Sequence, residues 1–441
     1  MHSSDVTERS LYSLSWPIFI DILLHFAILL INTYMVSQVS TAYLAAMGVG
    51  NQVFDLFITI FNFISVGCSV VIAQYLGAGK NEKASQAIHI SIAFNFLLGF
   101  LGSTIILIFG YKILGIMNTP SHLLDYSYAY LHILALCLIP EAISIILAVC
   151  LRVYGKSQPA MWVTFVANVI TILGNMIVLY GFFNLPQYGL TGVAWSTTIG
   201  RIVAIILLFL LLFNGLRIKF IPTLLFNWSK STLNKILNIG LPSAGENLAW
   251  ILHYMVASAF IGLMGEIPLA AQTLYFQLSL FIMLFGISIS IGNEIMIAHL
   301  VGANRFEDAY QIGLKSLKWG FFVTIGIVFF FWLFRVPLLD AITKDNNIIK
   351  LLLPLFLLSV FLEPGRTLNI VIVNALRAVG DARFPFCIAL ISMWGIAIPI
   401  SYFLGLKMEM GLIGIWLGFL CDEWFRGLTN AWRWQTKRLN I

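Results

Sequence analysis

Charged residues are scarce in this sequence. Only 10% of its 441 residues are Asp, Glu, Lys or Arg, whereas a soluble domain carries about 25%. At the same time 60% of the residues are hydrophobic, so a chain folded in water could not cover its apolar surface. These proportions exclude a soluble enzyme, a disordered protein and a secreted disulfide scaffold. They indicate a polytopic membrane protein.

The sequence also lacks the patterns of nucleotide, nucleic-acid and metal chemistry. Its net charge of +6 is small for the length, and the basic residues are spread along the chain, so nucleic-acid binding is not indicated. The 5 Cys lie in apolar runs and are interpreted as small core residues. Gly77-Ala78-Gly79-Lys80 lacks the Ser or Thr and the leading glycine of a phosphate loop, and is interpreted as a tight turn. Without that motif we expect no nucleotide partner, and we expect no cofactor. We also expect no enzyme activity, because no nucleophile–base pair or His/Asp metal cluster is spaced for catalysis.

Apolar runs long enough to span a bilayer as helices recur along the chain. The predicted fold is an all-α membrane protein with 12 transmembrane helices in two pseudo-symmetric six-helix bundles, an N-lobe and a C-lobe. The predicted spans are residues 11–36, 50–76, 87–111, 125–151, 159–181, 189–214, 238–263, 269–300, 312–334, 348–376, 384–405 and 410–432.

The distribution of Lys and Arg predicts the orientation. With a cytoplasmic N-terminus, 18 of these residues fall in cytoplasmic segments and 5 on the other side. The positive-inside rule then places both termini in the cytoplasm. The first apolar run contains Asp21 and no cleavage pattern follows it, so no cleavable signal peptide is expected. The absence of a transit peptide fits a multi-pass protein of a bacterial cytoplasmic (inner) membrane.

The two halves of the chain repeat each other at an offset of 225 residues. Residues 44–84 match the later segment at 13 of 41 positions without a gap, and Pro17 matches Pro242 at the same offset. The same offset of 225 pairs Leu151-Arg152-x-x-Gly155 with Leu376-Arg377-x-x-Gly380. After a shift of three residues, to an offset of 222, Gly189-Leu190-x-Gly192 pairs with Gly411-Leu412-x-Gly414.

The repeat predicts a domain organisation and a mechanism. Each repeat has six helices, an even number, so both halves enter the membrane from the same side. We expect an N-lobe over residues 1–214, a cytoplasmic linker over 215–237 and a C-lobe over 238–441. Two such bundles are the architecture of alternating access around a site near the membrane midplane.

Two acids in the apolar spans occupy equivalent positions of the repeat. Asp21 and Glu246 are one repeat apart, and each follows a proline, Pro17 or Pro242, by four residues. An ionisable group at membrane depth costs about 2.5–3.5 kcal/mol on insertion scales and commonly marks an ion or substrate path. Each carboxyl could carry a proton, bind Na⁺ or bind a cationic substrate. Alternatively, each is a structural hydrogen-bond partner for a neighbouring helix.

Helical spacing adds neighbours to these acids. His25 and Asn32 fall on the face of Asp21, and Trp250 and His253 on the face of Glu246. We include His25, Trp250 and His253 in a candidate substrate cleft. The glutamines that match in the repeat, Gln52 and Gln277, are added to it.

Other charges in the spans have more than one interpretation. Glu363 and Arg366 are three residues apart in the tenth span and could form a structural ion pair or a switchable one. Arg201 has no local partner, so an acid from another helix could pair with it. Asp422 and Glu423 are interpreted in part as acids that extend to the membrane surface.

These residues resemble the multidrug and toxic compound extrusion (MATE) family over essentially the whole chain. The motifs that carry the resemblance are Leu44-Ala45-Ala46 through Gln74-x-x-Gly77-Ala78-Gly79, the matching segment from Leu269 to Ala303, and Leu376-Arg377-Ala378-Val379-Gly380-Asp381. The resemblance implies two six-helix lobes in a V shape and export of amphipathic organic molecules driven by influx of H⁺ or Na⁺. The Glu363–Arg366 and Asp422-Glu423-Trp424 patterns look like a subgroup that exports metabolites or natural products.

The resemblance also implies where coupling residues lie. Asn32 and Asn175 are at positions where many prokaryotic members have Asp, and an asparagine cannot exchange a proton. Other members use a glutamate in the seventh helix and an acid in the tenth, near Glu246 and Arg366. The candidate coupling residues are therefore Glu246, Asp21, Glu363, Arg366, Asn32 and Asn175, with a possible Na⁺ near Glu246.

The predicted function is secondary active antiport. A small organic substrate is exported in exchange for H⁺ or Na⁺, with coupling at Glu246 and with Asp21 or Glu363 assisting. The expected partners are this substrate and membrane lipid. The alternative is a flippase for a lipid-linked saccharide, which would need more basic residues in its cleft. An ion channel is less favoured, because the sequence contains no short filter-like segment.

Overall fold

The computed structural model describes Val6 and residues 10–117, 119–181, 186–216 and 218–438. Within these ranges the chain forms helices and turns and contains no β-strand. Arg9 and Arg217, which entered the orientation count, lie outside the described residues, as do the side chains of Lys437 and Arg438.

The first half of the chain contains six long helices. The sixth ends in a π-helical turn, Leu210–Gly215, and a short 3₁₀ helix, Pro222–Leu225, follows it. The six are α1 Leu11–Ser37, α2 Thr41–Gly77, α3 Asn81–Ile116, α4 Ser121–Val153, α5 Ser157–Tyr180 and α6 Gly189–Phe209.

The second half repeats this arrangement. A short helix, Arg335–Ile342, follows the third long helix, and the fifth continues through π-helical segments to Lys407. The six are α7 Lys230–Gly262, α8 Glu266–Gly302, α9 Phe306–Leu333, α10 Asn346–Ala378, α11 Arg383–Ser392 and α12 Gly411–Arg438.

The predicted fold class is confirmed, and each predicted span corresponds to one long helix. Ten helices of the described chain are long and apolar enough to cross a bilayer. The other two, α7 and α12, are 33 and 28 residues long but more polar. The charges that make α12 polar include Asp422, Glu423 and Arg426, which are buried inside the protein.

The same turn follows α2 and α8. Gly79 has a φ of 69° and Asn304, at the equivalent position, has a φ of 57°. Lys80 N–H donates to the Tyr75 carbonyl at 2.8 Å, and Arg305 N–H donates to that of Leu300 at 2.8 Å. Glycine adopts this left-handed conformation without strain and asparagine tolerates it better than most residues. The segment compared above with a phosphate loop is therefore the predicted tight turn.

The chain forms two compact units. The first consists of Met1–Val6 and Ile20–Gly240, and the second of Thr7–Phe19 and Leu241–Ile441, for the residues that are described. The predicted lobe bounds stay a prediction. The units differ from them in two segments, since the start of α1 belongs to the second unit and the start of α7 to the first.

The start of α7 packs closely against α2, and the start of α1 packs closely against α8. A Cβ on Gly67 of α2 would collide with the backbone carbonyl of Ile236 in α7, inside the first unit. At the equivalent position of the second unit, a Cβ on Gly292 of α8 would collide with the Ser15 hydroxyl of α1. Glycines at helix interfaces let backbones approach closely in membranes. The repeat therefore conserves a contact as well as a sequence pattern.

Each unit has its own apolar core. In the first, α2 and α4 bury Phe61 and Leu131 among other aliphatic side chains. In the second, Tyr275 of α8 and Trp416 of α12 are fully buried, and their ring centroids are 4.5 Å apart. The buried charged and polar side chains lie outside these two apolar cores.

Candidate functional site

The Asp21 carboxylate of α1 is buried and forms an ion pair with Arg152 at the end of α4. Asp21 is 2% exposed, and Arg152 Nη2 donates a hydrogen bond to its Oδ2. The other carboxylate oxygen, Oδ1, has no hydrogen-bond partner among the described residues. His25 Nδ1 lies 2.9 Å from the Asp21 backbone carbonyl and 4.0 Å from Oδ1.

The second unit contains the equivalent pair. Arg377 Nη2 at the end of α10 donates to Glu246 Oε2 of α7 at 2.7 Å. In both units the acid and the arginine are 131 residues apart in the chain. The matching arginines were present in the repeat, but their partnership with the acids was not predicted. The constant offset of all four residues could have revealed it.

A second ion pair in the first unit joins α4 to α6. Arg201 Nε lies 3.1 Å from Glu141 Oε2, and Glu141 is 6% exposed. This confirms the expectation that an acid from another helix pairs with Arg201. Burial of such a pair is tolerated because each charge offsets the desolvation of the other.

The equivalent pair in the second unit has its charges exchanged. At an offset of 225 the counterpart of Glu141 is Arg366. At the offset of 222 that relates the starts of α6 and α12, the counterpart of Arg201 is Glu423. Arg366 Nε donates to Glu423 Oε1 at 3.4 Å.

The second unit adds further charges around this exchanged pair. Arg366 Nη1 donates to both oxygens of Glu363, at 3.0 and 3.2 Å, and to Ser279 Oγ at 2.7 Å. The predicted pairing of Glu363 with Arg366 is therefore confirmed. Glu363 is 1% exposed and Arg366 is 5% exposed.

Arg426 of α12 connects the remaining acids. Its Nη2 lies 2.5 Å from Asp422 Oδ2 and 3.3 Å from Glu423 Oε2, and its Nη1 lies 3.8 Å from Glu246 Oε1. Asp422 and Glu423 are 1% and 3% exposed. The interpretation of these two acids as extending to the membrane surface is wrong, because both are enclosed with arginine partners.

These residues form what we call the second-unit charge network. Three guanidinium groups face four carboxylates, which leaves a formal charge of −1. The two pairs of the first unit, Asp21–Arg152 and Glu141–Arg201, balance. The network consists of Glu246, Glu363, Asp422, Glu423, Arg366, Arg377 and Arg426.

A cavity of about 360 Å³ opens onto this network within the second unit. Its wall combines charged groups, amides and apolar side chains. The lining residues are Glu246, Asn247, Trp250, Met283, Ile287, Ser290, Arg366, Asn369, Ile370, Val373, Asn374, Arg377, Met393, Glu423 and Arg426.

The other predicted residues of the C-terminal half are not all at this cavity. Trp250 is part of its wall and stacks on Tyr254 at a centroid distance of 5.6 Å. His253 is fully buried beside Phe419, and neither ring nitrogen has a hydrogen-bond partner among the described residues. Gln277 is exposed and does not line the cavity, and Gln52 in the first unit is also exposed.

Asn32 and Asn175 contact each other directly in the first unit. Asn175 Nδ2 donates to Asn32 Oδ1 at 2.8 Å, which joins α1 to α5. The positions paired by family resemblance are thus neighbours. Their amides make a neutral hydrogen bond and cannot exchange protons. Within the described residues, no three His, Cys, Asp or Glu side chains converge as a metal site.

The chain is similar to known proteins over nearly its whole length. The MatE family model matches residues 17–177 and, separately, residues 242–403, which are the two halves of the repeat. "Uncharacterized transporter YisQ" of Bacillus subtilis (strain 168) is 35% identical over 97% of this chain and 94% of its own length. "Probable multidrug resistance protein NorM" of Pasteurella multocida (strain Pm70) is 23% identical over 94% of this chain and 91% of its own.

Solved structures share the fold. "Crystal structure of MATE in the bent conformation" superimposes with a TM-score of 0.92 at 18% identity, covering 100% of this chain and 98% of that chain. A second, "Reverse polarity of binding pocket suggests different function of a MOP superfamily transporter from Pyrococcus furiosus", has a TM-score of 0.89 at 18% identity, with 99% and 98% covered.

Proposed function

This chain belongs to the MatE family of multi-pass membrane transporters, and from that premise we propose that it exports amphipathic organic molecules in exchange for H⁺ or Na⁺. The relatives named as multidrug resistance proteins support a drug-sized organic substrate. The mechanism is alternating access, and no catalysis is involved. The observation that carries the proposal is the unbalanced charge network around the cavity of the second unit.

The formal charge of −1 provides a site for one monovalent cation. A buried charge without a counter-charge is costly, so the network is more stable with one bound proton or Na⁺. A substrate with a cationic nitrogen could supply the same charge. Because both cannot neutralise one surplus carboxylate at once, binding of the coupling ion and of the substrate is mutually exclusive. Such competition is what antiport requires.

Glu246 is the carboxylate best placed to bind the exchanging cation. It lines the cavity, and among the described residues only its Oε2 accepts a hydrogen bond, from Arg377. Its Oε1 is 3.8 Å from Arg426 Nη1, a distance too long for a direct hydrogen bond. Glu363 assists indirectly, because it and Glu423 both accept hydrogen bonds from the Arg366 guanidinium.

The first unit is proposed to have a structural role in this cycle. Its buried acids, Asp21 and Glu141, each have one arginine partner and leave no surplus charge. Asn32 and Asn175 cannot carry a proton. We therefore assign coupling to the second unit and not to Asp21.

The proposed location follows from the charge bias and the relatives. The bacterial relatives favour a bacterial cytoplasmic membrane. The excess of Lys and Arg in alternate connections favours cytoplasmic positions for both termini.

Inverted membrane vesicles test this function. Uptake of a fluorescent amphipathic cation would be measured under an imposed pH gradient, an imposed Na⁺ gradient, or neither. We expect at least about tenfold faster uptake with one of the gradients than without it, and none in vesicles that lack the protein. If neither gradient drives uptake of any organic ion, the antiport proposal is wrong and a lipid-linked saccharide flippase becomes the better account.

A further inference from the structure

Hydrogen-bond donors are in surplus on the wall of the second-unit cavity. Arg366 uses Nε for Glu423 and Nη1 for Glu363 and Ser279, which leaves Nη2 without a hydrogen bond to any described residue. Arg426 uses Nε and Nη2 for Asp422, and its Nη1 makes no hydrogen bond to a described residue, although it lies 3.8 Å from Glu246 Oε1. Two guanidinium edges therefore remain open on residues that line the cavity.

Acceptors on the same wall are nearly all occupied. Glu423 accepts from Arg366 Nε through Oε1 and from Asn369 Nδ2, at 2.9 Å, through Oε2. Glu246 Oε2 accepts from Arg377, and only Oε1 is without a hydrogen bond among the described residues. The cavity thus offers two open donors that carry positive charge and one open carboxylate oxygen.

This distribution is poorly matched to a simple organic cation. A monocation at Glu246 would lie among three guanidinium groups, with no contact for the two open edges. A carboxylate or similar oxyanion on the same molecule would accept from those edges. Charge-assisted hydrogen bonds of this kind are about twice as strong as neutral ones, and arginine is well suited to them.

We propose that the preferred substrates are zwitterions, with an oxyanion bound by Arg366 and Arg426 and a cationic nitrogen bound by Glu246. This rests on the proposed function, because the cationic nitrogen replaces the coupling ion at the charge network. The flat or apolar body of the substrate packs against Trp250 and the aliphatic side chains of the wall. A zwitterion has no net charge, so it competes with the coupling ion by occupying the position at Glu246 and not by neutralising the network.

A matched pair of fluorescent dyes tests the zwitterion directly. Rhodamine 110 has a free carboxylate beside its cationic xanthene, and rhodamine 123 is its methyl ester, a monocation. Binding of each to the purified protein would be measured by fluorescence anisotropy, and uptake of each into the vesicles described above. We expect rhodamine 110 to bind about tenfold more tightly than rhodamine 123, a difference of about 1.4 kcal/mol.

The outcomes separate this proposal from the proposed function. Equal affinity, or tighter binding of rhodamine 123, together with gradient-driven uptake, would overturn the zwitterion proposal and leave the antiporter intact. Failure of both gradients to drive either dye would overturn the antiporter. The affinity ratio in detergent would still decide whether the cavity selects zwitterions.

A pair of double variants locates the effect. Glu363→Gln with Arg366→Gln removes one open guanidinium edge and keeps the formal charge of the network at −1. We expect the preference for rhodamine 110 to fall to about threefold or less. The control, Glu141→Gln with Arg201→Gln, removes the equivalent buried pair from the first unit and should keep the wild-type ratio. If the control lowers the ratio as much, the Arg366 assignment is wrong. If the first variant does not fold, the wild-type ratio still tests the proposal.

Discussion

Replacing Glu246 by Gln is expected to abolish gradient-driven export. The change removes the surplus carboxylate, so three arginines face three acids and the network no longer needs a coupling ion. The side chain keeps its size and one acceptor for Arg377. We expect gradient-driven uptake in inverted vesicles to fall at least about tenfold, to the level measured without a gradient. Substrate binding in detergent should lose its dependence on pH or Na⁺, because no ion competes for the site.

The repeat provides a matched control for this prediction. Asp21→Asn makes the same chemical change at the equivalent position of α1, next to an arginine at the same spacing in the chain. Loss of one partner of a buried pair costs about 3–5 kcal/mol, so Asp21→Asn should be less stable than wild type, whereas Glu246→Gln leaves three acids for three arginines. Only Glu246→Gln should lose the response to the gradient. The reverse pattern, with coupling lost in Asp21→Asn and kept in Glu246→Gln, would move the coupling site to the first unit.

Arg201→Glu is expected to be severely destabilising. It would place two carboxylates, those of residues 141 and 201, against each other in the buried interface between α4 and α6. Removal of one partner from a buried pair already costs about 3–5 kcal/mol, and repulsion between like charges adds to this. The variant should therefore accumulate poorly in membranes, and it should unfold at a much lower temperature in detergent.

Exchange of both charges should restore most of the lost stability. Glu141→Arg combined with Arg201→Glu reproduces the order of charges that Arg366 and Glu423 have in the second unit. Thermal unfolding of wild type, the single variant and the double variant, followed by size-exclusion chromatography, would measure the recovery. A double variant as unstable as the single one would show that the two units do not present equivalent environments at these positions.

The membrane helices could be predicted because their cause is local. A bilayer requires about 20 apolar residues with internally satisfied backbones, and such runs are visible in any single sequence. The turns at Gly79 and Asn304 could also be predicted from local sequence, because glycine and asparagine are the residues that a left-handed backbone conformation favours. The ends of α7 and α12 were harder to place, because charged residues extend both helices beyond their apolar runs.

The candidate site was only partly predictable. Glu363 and Arg366 are three residues apart on one helix, so their pairing follows from helical geometry alone. The partners of Asp21, Glu246 and Arg201 lie on other helices, and pairing them requires the packing of the bundle. Composition could not distinguish Asp422, enclosed against Arg426, from an acid at the membrane surface, because both lie near the polar end of an apolar run.

The most direct test of the charge-network account is to count ions. Purified protein in proteoliposomes would export a transported substrate while entry of H⁺ or ²²Na⁺ is measured at the same time. A network with one surplus carboxylate predicts that about one H⁺ or Na⁺ enters for each molecule of a neutral or zwitterionic substrate that is exported. This ion entry should disappear in Glu246→Gln. Ion entry that continues unchanged in Glu246→Gln would contradict the account.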